Sequence, residues 1–174
     1  VLFVDEAAQM SLANVLAVSR AAPLLVLLGD PQQLEQPQQA SHPDGTGVSA
    51  LHYVLDRHKV IEPDQGIFLE ETWRLHPDIC RFTSELFYEK RVTSRPELAK
   101  QAIVNGGPLD GAGLRYIPVE HDGNQTSSVE EAERIAALVT GLVDGGAAWT
   151  DLKGDTKPLS LNDVLIVAPY NAQV

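Results

Sequence analysis

Two adjacent carboxylates, Asp5 and Glu6, end the apolar run Val1-Leu2-Phe3-Val4 near the start of this 174-residue chain. A continuous apolar run of that kind reads as a strand buried on both faces. Its carboxyl end is where open α/β sheets place their ligands. An acidic pair there suits phosphate chemistry: one carboxylate can hold Mg²⁺ through water, and the other can orient or deprotonate an attacking water. Taken alone, the pair also fits a strand followed by a helix N-terminus, which favours negative charge. A second polar cluster adds weight. Leu24-Leu25-Val26-Leu27-Leu28 ends in Gly29-Asp30-Pro31-Gln32-Gln33-Leu34, and Leu12, Val15 and Leu16 lie at helical spacing between the two runs. The pattern predicts a strand–helix–strand crossover with parallel strands. Asp5, Glu6, Asp30 and Gln33 would then lie at one end of the same sheet.

The remaining elements follow from periodicity and punctuation. The Gln- and Pro-rich stretch up to Gly47 reads as a long loop, the kind that is usually functional or disordered. Ser49 to His58 reads as a short helix with Leu51, Val54 and Leu55 on one face, and Lys59 to Gly66 as a linker. Ile67 to Leu69 reads as a short strand leading to Glu70-Glu71-Thr72-Trp73-Arg74-Leu75-His76-Pro77. Pro77 suits a first helical position, and Ile79, Phe82, Thr83, Leu86 and Phe87 then form an apolar stripe that Tyr88 closes. Arg91 to Gly107 is turn-rich and carries the basic residues Arg91, Arg95 and Lys100, read as a solvated loop in preference to a strand-binding surface. Leu114 to Glu120 reads as an edge strand because of Pro118. Ser128 to Glu131 has the capping-box pattern. Ala132, Ile135, Leu138, Val139, Leu142 and Val143 line the helix behind it, and Gly145-Gly146 stop that helix. Val164 to Ala168 reads as a last buried strand before Pro169-Tyr170-Asn171. Alternating strands and helices predict an α/β class with parallel sheets.

Composition bounds the answer. Hydrophobic residues make up 44% and charged residues 21%, a globular balance. Membrane-length apolar runs and a signal peptide are both missing from the pattern. Cys80 is the single cysteine, so no intrachain disulfide can form, which suits a reducing, cytoplasmic setting. His76 and Cys80, four apart on a helix, are too few for a zinc site, and Cys80 is expected in the core. The net charge is −11, the wrong sign for a surface that attracts nucleic acid as a whole, so such binding needs a local groove. The chain starts with Val inside a strand, and it reads as a window from a longer protein.

The motifs together are specific enough for a resemblance. Asp5-Glu6-Ala7-Ala8-Gln9 resembles the Walker B motif of superfamily 1 helicases, and Gly29-Asp30-Pro31-Gln32-Gln33-Leu34 with Pro37 is similar to their motif III. Thr72-Trp73-Arg74-Leu75-His76-Pro77, with Ile79, Phe82, Ser84, Phe87 and Tyr88, resembles motif IV of the nonsense-mediated-decay helicase branch (AAA_12). Val167-Ala168-Pro169-Tyr170-Asn171-Ala172-Gln173 is similar to the segment shortly before motif V. The detailed wording resembles bacterial proteins that fuse a RecB-like nuclease to this helicase. Ala8 stands where the family usually has Gly, and Trp73 where it has Tyr.

The resemblance implies a RecA-like P-loop NTPase fold, with parts of two parallel-sheet lobes at residues 1–60 and 61–174 and ATP bound between them. Asp5 would hold Mg²⁺ and Glu6 would activate the hydrolytic water. Gln33 would contact the γ-phosphate, and Asp30 would support its loop. Arg74 would act as an arginine finger, Trp73 would pack on the adenine, and Pro37, Pro169 and Tyr170 would lie near a single strand. The implied activity is an ATP-driven helicase or translocase on single-stranded DNA or RNA, DNA being favoured, with 5′→3′ polarity. Each residue has a plainer reading beside this: core packing for Trp73, a surface ion pair for Arg74, a solvated loop for Gln33. The competing functions are a non-catalytic nucleic-acid- or protein-binding module on a degenerate ATPase shell and a nucleotide-dependent switch without unwinding. A Gly-x-x-x-x-Gly-Lys-Ser/Thr loop is absent from the sequence, so this stretch alone is expected not to hydrolyse ATP. It is also expected to be marginally stable.

Overall fold

The first strand, β1 (Leu2–Val4), pairs in parallel with β2 (Leu25–Leu27), in the register Leu2↔Leu25, Phe3↔Val26 and Val4↔Leu27. Helix α1 (Leu12–Ser19) makes the crossover between them. These elements come from a computed structural model that describes residues 1–34, 45–56 and 58–174. Pro37 and most of the Gln-rich stretch lie outside the described residues. The chain divides into two compact units, Val1–Glu70 with Ser84–Arg91, and Glu71–Thr83 with Val92–Val174.

In the first unit, α1 and α2 (Ala50–Leu55) start side by side. Each begins at a buried serine whose hydroxyl accepts a backbone N–H of the first turn: Asn14 N–H to Ser11 at 3.3 Å and His52 N–H to Ser49 at 3.1 Å. Such a cap is worth about 1 kcal/mol. The chain segments leading into the helices are bonded to each other, Leu12 N–H to Val48 O at 2.8 Å and Ala50 N–H to Met10 O at 3.0 Å. Val4, Ala7, Ala8, Val15, Ala50 and Leu51 form the core, with Leu2, Met10, Leu25 and Leu27 packed against it. One expectation fails here: β1 is buried on one face only. Val4 is buried while Phe3 is 65% exposed, because α1 and α2 cover a single face of the pair.

The second unit opens with another parallel pair, β3 (Glu71–Thr72) and β4 (Thr93–Ser94). Helix α3 (Pro77–Phe87) starts in this unit, and its last residues belong to the first. Its buried positions are Cys80 and Ser84, whereas Phe82, Leu86 and Phe87 are exposed, so the buried stripe is not the predicted one. Small side chains spaced i, i+4 let backbone come close, and the Cys80 thiol reaches Val92 O at 3.6 Å. Burial pushes that thiol's pKa up, as expected for a core cysteine.

Strands β5 (Ala102–Val104), β6 (Ala148–Thr150) and β7 (Thr156–Pro158) form an antiparallel meander in the order β5-β6-β7. Helix α4 (Val129–Asp144) precedes β6. It ends in a Schellman motif: Gly146 takes φ +71°, Ala147 N–H returns to Leu142 O at 3.0 Å, and Gly146 N–H to Val143 O at 3.2 Å. At its start the capping box is half present. Ser128 Oγ accepts Glu131 N–H at 3.2 Å, but the Ser128 backbone is held by Gln173, whose amide oxygen accepts Ser128 N–H and whose Nε2 donates to Ser128 O at 3.0 Å.

Three segments expected as strands, Ile67 to Leu69, Leu114 to Glu120 and Val164 to Ala168, are not strands. A strand needs a ladder partner for its N–H and C=O groups, and no described strand pairs with these. Several of their apolar side chains stay in solvent, Ile67 being 88%, Tyr116 91% and Leu165 86% exposed. Parallel pairs and a helical crossover still define a mixed α/β chain. Among the described residues no helix is long and apolar enough to cross a membrane.

Candidate functional site

The parallel register of β1 and β2 sends Asp5-Glu6 and Gly29-Asp30 out of the same end of the first unit's sheet. Backbone bonds stitch the two turns together: Leu28 N–H donates to Val4 O at 2.8 Å, and Ala7 N–H donates to Leu28 O at 2.8 Å. Gly29 is required by this closeness. A Cβ there would lie 3.1 Å from Ala7 N and 3.2 Å from Ala8 N, at a φ of +152°. Asp5 Oδ1 accepts Glu6 N–H at 3.0 Å, which fixes the carboxylate in its turn. Glu6 has a φ of +52°, an uncommon conformation for a residue with a side chain, and such strain clusters at functional sites. Gln9 Nε2 reaches Glu6 Oε2 at 3.4 Å, and both Asp5 and Glu6 are exposed.

Asp30 is built in differently. Its Oδ1 accepts Gln32 N–H at 3.0 Å, an Asx turn. Its Oδ2 accepts the Tyr88 hydroxyl at 2.7 Å and Gln33 Nε2 at 3.4 Å. Gln32 Nε2 donates to Lys59 O at 3.2 Å, and Lys59 Nζ donates to Leu86 O at 3.1 Å, a carbonyl in the last turn of α3. Burial first, then the bond to Asp30 and the carboxylate's charge, push the Tyr88 phenol's pKa well above its ordinary value. Gln33 itself is exposed.

In the second unit, Thr72 Oγ1 accepts Arg74 N–H at 3.3 Å and Leu75 N–H at 3.5 Å, shaping the turn that presents Trp73 and Arg74. His76 Nδ1 then accepts Asp78 N–H at 3.1 Å at the start of α3. Trp73 is 70% exposed, so it is not core. The Arg95 guanidinium lies 3.7 Å from its ring centroid and pairs with Glu97 at 2.6 Å. The Arg74 side chain is exposed, and among the described residues it has no hydrogen-bond or ion-pair partner. Pro169 and Tyr170 are exposed, next to the short 3₁₀ turn Asn171–Gln173.

Asp5, Glu6, Asp30 and Gln33 therefore come together in one unit, while Trp73 and Arg74 share a turn in the other. Sequence reasoning assigns no site role to Tyr88, Lys59 or Arg95, although Tyr88 closes the apolar stripe of the motif IV resemblance and Arg95 belongs to the basic cluster. Among the described residues no group of three or more His, Cys, Asp or Glu side chains could hold a metal. Magnesium is usually held by one or two carboxylates with water and substrate phosphates, so a fixed, exposed Asp5 fits that ion.

The comparisons with known proteins bear on this arrangement. The family AAA_12, an AAA domain, matches residues 47–174, and the chain belongs to this family. It is 27% identical to the DNA-binding protein SMUBP-2 of Rattus norvegicus, over 100% of this chain and 18% of that protein. It is 24% identical to the 3'-5' exoribonuclease HELZ2 of Mus musculus, over 99% of the chain and 6% of that protein. It is 22% identical to the DNA polymerase alpha-associated DNA helicase A of Schizosaccharomyces pombe, over 86% of the chain and 23% of that protein. The chain thus spans less than a quarter of the length of each of these relatives. No solved structure matches it significantly.

Proposed function

We propose that the chain is part of an ATP-dependent helicase or translocase acting on single-stranded nucleic acid, with residues 1–60 and 61–174 contributing to two RecA-like lobes. The observation that carries the reading is the pair of stitched turns, which sets Asp5-Glu6 beside the Asp30–Gln33 loop at the carboxyl end of parallel strands. That is where phosphate chemistry is handled in open α/β sheets. Asp5 holds Mg²⁺, which when bound supplies charge neutralisation on the phosphates. Glu6 orients and deprotonates the attacking water from the exposed turn at the strand end. Gln33 reads the γ-phosphate, and its weak contact to Asp30 is easily exchanged for that ligand. Arg74, without a partner among the described residues, supplies positive charge to the transferring phosphoryl group. Such a residue is worth roughly 10³–10⁵ in rate. Trp73 offers to the adenine the ring face that Arg95 does not cover. Pro169 and Tyr170, with Pro37, contact the strand.

DNA is the favoured strand, since two of the relatives carry DNA in their names, while HELZ2 is named an exoribonuclease. The finer resemblance extends the proposal to a nuclease domain fused to the motor. A phosphate-cradling loop is not in this sequence, so the stretch alone does not hydrolyse ATP. The test is strand-stimulated ATPase activity of the full-length protein beside Glu6→Gln and Arg74→Ala. The expected result is hydrolysis only with a strand present, with both variants binding nucleotide but losing turnover. A full-length protein that binds strands yet hydrolyses no faster than Glu6→Gln would be a binding module, and the motor reading would be wrong.

A further inference from the structure

The turn that presents Gln33 is tied to one place in the first unit by two separate routes. The direct one is the 2.7 Å bond from the Tyr88 hydroxyl to Asp30 Oδ2. The indirect one runs from Gln32 Nε2 to Lys59 O and from Lys59 Nζ to Leu86 O. Both end at the last turn of α3 and the residue after it. That end is itself firmly shaped. Glu89 and Lys90 adopt φ values of +54° and +65°, and Lys90 N–H returns to Ser84 O at 2.9 Å. Two successive left-handed residues with side chains are unfavourable, and they persist only where surrounding structure holds them. The Tyr88 ring is held as well, with Phe68 at 6.3 Å and Phe87 at 6.5 Å between centroids. Arg91 covers the Phe68 ring at 4.6 Å and pairs with Glu70 at 3.4 Å.

Asp30 Oδ2 therefore has two donors of unequal quality. The phenol bond is short and donates to a carboxylate, the strong kind. The Gln33 amide sits at 3.4 Å, near the limit of a hydrogen bond, on an exposed side chain. If Gln33 leaves to meet a phosphate, Asp30 keeps its Tyr88 bond and its Oδ1 bond to Gln32 N–H. The turn then keeps its shape while the loosely held Gln33 amide moves. Without the phenol, the carboxylate would lose its strongest partner and Gln33 would become its replacement, held back from any ligand.

We infer that Tyr88 is a positioning residue: it holds Asp30, and through it the Gln32-Gln33 turn, so that the Gln33 amide is free to engage a phosphate. The inference rests on the reading of Gln33 as the phosphate-sensing group. Tyr88 touches no substrate, and its effect passes through Asp30.

The experiment uses the full-length protein with Tyr88→Phe, Asp30→Asn, the double variant, and Glu6→Gln as the inactive reference. Tyr88→Phe keeps the ring and its neighbours and removes only the hydroxyl. It should lower kcat about tenfold, with KM for ATP changed less than about twofold. Exchange of the Gln32 and Gln33 amides should quicken, while exchange within α4 stays as it was. The double variant should lose no more than the worse single variant, because both remove the same bond. A wild-type kcat in Tyr88→Phe, unchanged exchange at Gln32 and Gln33, or additive losses would each overturn the inference. If the unmodified protein is no faster than Glu6→Gln, the motor reading has failed separately. Exchange then decides alone: quickening keeps Tyr88 as anchor of the turn, and no change removes it.

Discussion

Replacing Gly29 with Ala should destabilise the first unit by about 2 kcal/mol, and the structure says where the cost arises. The added methyl would meet Leu51 Cδ1 and Ala7 N at 3.1 Å and Ala8 N at 3.2 Å. The leucine methyl can swing away. The backbone nitrogens cannot, because Ala7 N–H is bonded to Leu28 O at 2.8 Å, one residue before the glycine. Relief would have to break the bonds that stitch the two turns. Holding a residue with a side chain in an unfavourable φ costs ~1–3 kcal/mol. Crowding adds to that, and the smaller entropy of the unfolded chain with Ala returns ~0.4–1 kcal/mol. A net loss of about 2 kcal/mol corresponds to about thirtyfold faster exchange of the Leu28 and Ala7 amides through local opening. Gly146→Ala is the internal control. Its φ is +71°, but a Cβ there meets nothing within 4 Å. Only the left-handed backbone cost of ~1–2 kcal/mol applies, again reduced by the unfolded-state gain, so the net centres on about 1 kcal/mol. Hydrogen exchange reports each site separately, which matters in a chain of two compact units. If Gly29→Ala costs no more than Gly146→Ala, close approach of the two turns is not what demands glycine, and the stitched arrangement is wrong.

Arg95→Ala should uncover the Trp73 ring, which the guanidinium covers at 3.7 Å, and change Trp73 emission in a Trp149→Phe background. An exposed cation–π contact is worth ~0.5–1 kcal/mol and the Glu97 ion pair, lost with it, up to ~1 kcal/mol more, so overall stability should move by no more than about 2 kcal/mol; unaltered emission would show that the stack does not persist in solution. The Tyr88 phenol gives a signed pH dependence. Its folded pKa is raised by burial and by Asp30, above an unfolded value of about 10. The stability it contributes is full below about pH 10 and is lost as pH rises toward the folded pKa. Denaturant midpoints taken from neutral to alkaline pH should therefore fall more steeply in the unmodified protein than in Tyr88→Phe, and equal slopes would contradict the buried, Asp30-bonded phenol.

Much of the first unit was legible because its signals are local. Apolar runs gave β1 and β2, helical spacing gave α1, and crossover geometry made the strands parallel, which alone places Asp5-Glu6 beside Gly29-Asp30. The glycine stop that ends α4 in a Schellman motif was likewise written in residue types. Long-range choices were not legible. Val164 to Ala168 has the composition of a buried strand, but composition cannot state whether a ladder partner exists. The α3 stripe was misjudged because Cys80 and Ser84 are buried for their small size, which a hydrophobic count ignores. Gln173 replaces a carboxylate across 45 residues of sequence, and Tyr88 reaches Asp30 across 58. No periodicity encodes such pairs.

The two polar turns of the first unit divide their labour through how their oxygens are used. Asp30 gives both carboxylate oxygens to protein donors, Gln32 N–H on one and Tyr88 and Gln33 on the other. A carboxylate so engaged is poorly placed to serve a metal or a water, and well placed to fix a loop. Asp5 gives one oxygen to the neighbouring amide, and Glu6 makes a single long contact to Gln9. Both remain exposed at the strand end. The contrast matches the roles proposed for them: Asp5 and Glu6 face the chemistry, and Asp30 holds Gln33 where it can read the result. Removing the Asp30 charge should therefore disturb the turn and its response to ligand, whereas removing the Glu6 charge should leave the turn intact and abolish turnover.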